Sequence, residues 1–154
     1  RPPSRGVRLQ RGPPPPMLPP LLDSCERLLP PADSTEEPEA HLLRGPLRYM
    51  HYGAQGFSDQ GWGCGFRTAQ SILSWLAPHS PPPSIPECQS QIPGYVGPRE
   101  WMGVPDAVVL LDAFYGASMR VRHLTPGRAA NEMRAVLEEL KSHFDGGGGP
   151  VMVG

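Results

Sequence analysis

The chain has 154 residues and a formal net charge of −1, and its 18 glycines and 22 prolines together exceed a quarter of the sequence, a share associated with low complexity. The near-neutral balance gives no basic field for nucleic acid or an anionic membrane, and no apolar run is long enough for a membrane span or the apolar stretch of a signal peptide. Three cysteines, Cys25, Cys64 and Cys88, form an odd set without metal-type spacing, which argues against a disulfide framework or a metal site and for a reduced, cytoplasmic setting.

Residues 1–46 hold twelve of the prolines, including Pro13 to Pro16, Pro19-Pro20 and Pro30-Pro31. Proline lacks the backbone donor that helix and sheet need, so residues 1–45 are predicted to be a disordered, proline-rich tail ahead of a domain over 46–154. Pro13-Pro14-Pro15-Pro16 has a Pro-x-x-Pro spacing with Arg11 nearby, making 11–20 a candidate ligand for a proline-recognising domain. An unselected leader is the plainer reading of the same residues. A start at Arg1, with only about 110 residues left for a core, leads us to expect an incomplete domain.

The next feature is Asp59-Gln60-Gly61-Trp62-Gly63-Cys64-Gly65-Phe66-Arg67, a cysteine among glycines. Phe66, Gln70, Ile72, Leu73, Trp75 and Leu76 then repeat at roughly helical spacing until Pro78, which places Cys64 in the first helical turn. Free N–H groups and the positive end of the helix dipole favour a thiolate there. Gly61, Gly63 and Gly65 let a substrate backbone approach closely, and Trp62 is expected to form a flat apolar wall that narrows a cleft to a residue such as glycine. A free cysteine is more often a small buried hydrophobe. On local chemistry alone the nucleophilic and the buried readings stand equally open.

Further along, Pro105 suits the first turn of a helix with Val108, Leu111 and Phe114 on one face, ending near Gly116. Residues 118–124 alternate apolar and polar as a half-buried strand does. A helix over about 129–144 puts Met133, Val136, Leu137, Leu140 and Phe144 on one stripe, read as core packing. Gly146 to Gly149 end it as a mobile hinge, and Pro150-Val151-Met152-Val153 reads as the start of a buried strand. Alternating helices and strands predict an α/β (α+β) class.

Gly61-Trp62-Gly63-Cys64-Gly65-Phe66-Arg67 resembles the nucleophile motif of the ubiquitin-fold modifier-specific cysteine proteases. The autophagins share a Gly-Trp-Gly-Cys element, but Val96 to Gly103 and the glycine-rich lead from Ser142-His143-Phe144 into Val151-Met152-Val153-Gly154 also resemble the modifier-protease family. The likeness covers about residues 44–154. It implies a papain-like cysteine peptidase fold with Cys64 as nucleophile, Tyr52 as an oxyanion donor beside the Cys64 N–H, and Trp62 and Gly63 at the substrate.

It also implies a general base in an Asp-Pro-His element, which this sequence does not contain. Among His41, His51, His79, His123 and His143, His51 is the least implausible stand-in. The 154-residue chain is therefore expected to turn over little or not at all. The function implied is processing of the modifier precursor and release of the modifier from conjugates, with the modifier and its conjugates as partners and no cofactor. The alternatives are a non-catalytic modifier-binding pseudoprotease, an autophagin-like peptidase, and a proline-rich adaptor acting through residues 1–46.

Overall fold

Phe66, Ala69, Ile72 and Leu73 recur at three- and four-residue spacing, which lines them along one face of helix α1, Cys64–Leu76. The computed structural model describes residues 40–154 apart from 98, 126 and 128, and none of the side chains of 129–131. It buries all four of those apolar residues. The helix stops at Ala77, whose N–H still reaches the Leu73 carbonyl, because Pro78 cannot extend it.

The polar positions of α1 are buried too: Arg67, Gln70, Ser71 and Ser74. They are covered by the chain that precedes the helix. The Ser74 hydroxyl accepts the Arg48 N–H at 2.9 Å, the Ser71 hydroxyl accepts the Met50 N–H at 2.9 Å, and the Trp75 indole donates to the Arg44 carbonyl at 2.7 Å. Side chains of α1 thus satisfy main-chain groups of a segment without regular structure. Residues 40–45, assigned to the tail from the sequence, take part: Gly45 lies against Trp75, and His41 Nδ1 is 2.8 Å from an Asp145 carboxylate oxygen. The candidate Pro-x-x-Pro ligand at 11–20 and Cys25 lie outside the described residues.

Helix α2, Ile85–Gln91, starts on a capping box in which Ser84 N–H donates to the Glu87 carboxylate at 2.6 Å while the Ser84 hydroxyl accepts the Glu87 N–H. Helix α3, Val104–Tyr115, has Pro105 in its first turn, as the sequence predicts, and ends at Gly116 with φ 58°. Its inward positions are Ala107, Leu110 and Leu111, with Val108 and Phe114 only partly covered. The helices α1, α2 and α3 pack on one another around Phe66, Ile85, Cys88 and Leu110.

Helix α4, Ala129–Asp145, differs from expectation. Among the described residues it packs against none of the other three helices, and Met133 and Leu137 remain 41% and 50% exposed, so its apolar stripe is not core. Its polar side is held instead: Glu139 pairs with Arg120 and with Arg122, the latter at 3.0 Å, and Glu132 accepts the Thr125 N–H at 2.7 Å.

Those arginines belong to the alternating stretch 118–124, where the structure has no strand. A strand needs a ladder partner, and here the arginine side of the alternation faces a helix carboxylate. Residues 150–153 likewise form no strand. The glycine run ends α4 as predicted but folds back in a bonded turn, with the Gly148 N–H on the His143 carbonyl at 2.7 Å and the His143 ring 2.7 Å from the Gly149 carbonyl oxygen. Among the described residues the regular structure is helical, and no helix is long and apolar enough to cross a membrane.

Candidate active site

Cys64 is the first residue of α1 and its free thiol is exposed. No side chain caps this end of the helix, and the first N–H that bonds back within it is that of Arg67, to the Gly63 carbonyl at 3.0 Å. The N–H groups of the opening turn, including that of Cys64, are thus left to meet whatever occupies the space before the helix. Gly65 is buried because the Met102 backbone passes close by; an added Cβ would come within 2.8 Å of the Met102 carbonyl oxygen.

Tyr52 is near enough to Cys64 for the two side chains to act on each other's ionisation. Loss of solvent and the neighbouring Cys64 and Asp59 side chains together push its ionisation above the ordinary tyrosine value. The phenol therefore keeps its proton at neutral pH and remains a donor.

Asp59 and Arg67 hold these two residues' elements together. The Asp59 side chain has no exposed surface, and its two carboxylate oxygens accept from Arg67 Nε at 2.8 Å and Nη2 at 2.9 Å. Oδ1 also accepts the Gly53 N–H at 2.8 Å. Arg67 also donates to Gln70 Oε1 at 2.9 Å and to the Ala54 carbonyl at 3.0 Å. The Arg67 fork and the Gly53 N–H hold the Asp59 carboxyl below the usual aspartate range against the opposing effect of burial. Gln55 takes the left-handed φ of 59° in this turn, fixed by the Gln70 amide at 2.9 Å and by its own amide on the Pro82 carbonyl at 2.9 Å.

Two of the sequence-predicted substrate contacts are buried among the described residues. Trp62 is only 7% exposed and stands edge-on to Phe57 and Phe66, at 6.1 and 6.0 Å between ring centres, so its ring is packed in the core. Gly63 is buried with the Asp59 carboxyl packed where a Cβ would sit. Trp101 is 67% exposed and stands next in sequence to the buried Met102 that covers Gly65. His51 lies between Tyr49 and Tyr52, at 5.9 and 5.3 Å, and makes no hydrogen bond to Cys64 among the described residues.

Cys88 is a different thiol. It has no exposed surface, and burial with the nearby Glu87 charge pushes its pKa up to about 12. Alkylation of the folded chain with iodoacetamide at pH 7.5, mapped by mass spectrometry, is expected to modify Cys64 and to spare Cys88 until denaturant is added. Equal labelling of both in the native protein would contradict this packing.

The sequence profile of Peptidase family C78 matches residues 38–154. The chain belongs to this family. The match separates it from the autophagins, with which it shares the Gly-Trp-Gly-Cys element. Among family relatives, Ufm1-specific protease 1 of Mus musculus is 42% identical over 121 residues, covering 73% of this chain and 54% of its own length. Probable Ufm1-specific protease 1 of Drosophila melanogaster is 32% identical over 139 residues, covering 82% and 56%. This chain thus spans about half the length of these two relatives. The crystal structure of UfSP from C. elegans superposes with a TM-score of 0.60 at 29% identity, over 77% of this chain and 23% of that one. The papain-like class rests on that likeness, since the described residues of this chain supply its helical part.

Proposed function

We propose that this chain carries the nucleophile half of a thiol peptidase that cleaves after the C-terminal glycine of a ubiquitin-fold modifier, in the precursor and in conjugates. The observation that carries the reading is the exposed Cys64 thiol at the open start of α1, inside a family match that spans the site. The Ufm1-specific names of the relatives support the substrate class.

In the reaction, the Cys64 thiolate attacks the glycine carbonyl carbon and a C–S bond forms. The carbonyl electrons move onto oxygen, where the Tyr52 O–H and the Cys64 N–H donate to it. Collapse expels the amine with a proton and leaves a thioester, which water hydrolyses. The proton for the amine requires an acid that the described residues do not set against Cys64. Trp101, exposed and next in sequence to the Met102 that covers Gly65, offers a flat apolar surface to the substrate. A reducing, cytoplasmic setting keeps the Cys64 thiol free.

The test is turnover and binding, measured together, of a modifier carrying a fluorogenic group on its C-terminal glycine, with Cys64→Ser as control. Covalent capture at Cys64, or release lost in Cys64→Ser, is the expected outcome. Binding unaffected by Cys64→Ser with no capture would favour the pseudoprotease, the second reading, which the lack of a described histidine at the thiol supports.

A further inference from the structure

The sequence motif draws attention to the cysteine, yet the most constrained residue of the site is Asp59. Its side chain and its main chain act on the two halves separately. The carboxylate, wholly buried, accepts the N–H of Gly53, the residue after Tyr52, at 2.8 Å. The carbonyl of the same residue accepts the N–H of Gly63, the residue before Cys64, at 2.9 Å, and that of Trp62 at 3.3 Å. Arg67, one turn into α1, grips both carboxylate oxygens and then reaches past them to the Ala54 carbonyl on the Tyr52 side. Gly63 is glycine because the Asp59 carboxyl fills the space of a Cβ.

We propose that Asp59 is the positioning residue of this site: its carboxylate holds the Tyr52–Gly53 turn while its carbonyl holds Gly63, so one buried residue sets the Tyr52 phenol against the Cys64 thiol. Arg67 is the clamp that keeps the carboxylate in that place. The inference rests on the reading of Tyr52 as the donor to the reacting oxygen. It adds that the donor's position is set by a group that touches neither substrate nor sulfur. A bidentate guanidinium fork fixes orientation as well as distance, which a single ammonium contact does not.

The experiment is a double-mutant cycle on the 154-residue chain, read by the dissociation constant of a short peptide ending in glycinal. The thiol adds to the aldehyde: an S–C bond forms, the thiol proton ends on the aldehyde oxygen, and no leaving group is needed. That oxygen then occupies the position of the oxyanion. Tyr52→Phe is expected to weaken binding about 3- to 10-fold, the worth of one hydrogen bond. Asp59→Asn is expected to weaken it by a similar factor in the wild-type background and by almost none in the Tyr52→Phe background.

A merely structural role predicts the same loss in both backgrounds, and that result overturns the proposal, as does an Asp59→Asn chain that binds as tightly as the wild type. In either case a loss in Tyr52→Phe leaves the oxyanion reading standing. If Tyr52→Phe loses nothing, that reading falls and the positioning role with it. Should Asp59→Asn fail to fold, Arg67→Lys, which keeps the charge but loses the fork, runs the same cycle with the same two outcomes.

Discussion

Replacing Arg67 by alanine is expected to lower the unfolding free energy by about 3–5 kcal/mol, because it strands a buried charge. Asp59 would lose both guanidinium donors and keep the Gly53 N–H, while the Ala54 carbonyl and the Gln70 side-chain oxygen would lose donors they now have. Set against a total of about 5–15 kcal/mol for a domain, such a loss leaves a substantial unfolded fraction at ambient temperature.

The same pair gives a signed pH dependence. The folded state holds the Asp59 carboxyl below its ordinary value of 3.8. Its contribution is therefore fully present above that value and is lost as pH falls through it toward the lower folded value. Urea unfolding followed by circular dichroism between pH 7 and pH 3 should show wild-type stability declining below about pH 4. In Asp59→Asn that part of the decline should be absent. Parallel curves for the two proteins would show that other carboxylates set the acid limit.

Much of this was legible in the sequence where one residue acts on its own neighbours. Pro105 and Gly116 bracket α3, and the glycine-flanked Cys64 opens α1, because start and stop signals are local. Helix α2 carried its own signal, Ser84 followed three residues later by Glu87 with Pro86 between, and the surrounding proline run hid it. What failed was whatever depended on a partner. The alternation of 118–124 is a strand pattern only if a neighbouring strand exists, and Glu139 of α4 draws its arginines to a helix instead.

The site divides in the same way. Cys64 and Tyr52 could be named from a motif, but the motif says nothing of which ring faces outward. Trp62 is buried because it packs between Phe57 and Phe66, while Met102 takes the position against Gly65 and Trp101 beside it in sequence stays exposed. Asp59 and Arg67 were written in the same nonapeptide as the cysteine. Opposite charges eight residues apart fall outside the i, i+3 and i, i+4 pairings read from a helix, since Asp59 lies before it.

The largest effect on turnover is expected from supplying a base. Fusing to Gly154 a downstream segment from a family member that bears an Asp-Pro-His element should raise cleavage after the modifier's glycine by up to about 10⁶, the cost of removing the base histidine in a serine protease. Among the described residues no histidine is hydrogen-bonded to the Cys64 thiol. His143 is on the Gly149 carbonyl, His41 is beside Asp145, and His51 stands among tyrosine rings. Attack needs the thiol proton removed, and departure of the amine needs a proton returned, so both steps wait on one group. The comparison is kcat for the chain alone, for the fusion, and for the fusion with that histidine replaced by alanine. A fusion no faster than the chain would place the limit elsewhere. Full turnover by the chain alone would mean that a histidine already present, His51 first, swings to the sulfur. Addition of Cys64 to an aldehyde should be far less sensitive to the fusion than amide cleavage is, since that step expels no amine, and this separates stabilisation of the oxyanion from proton transfer to the amine.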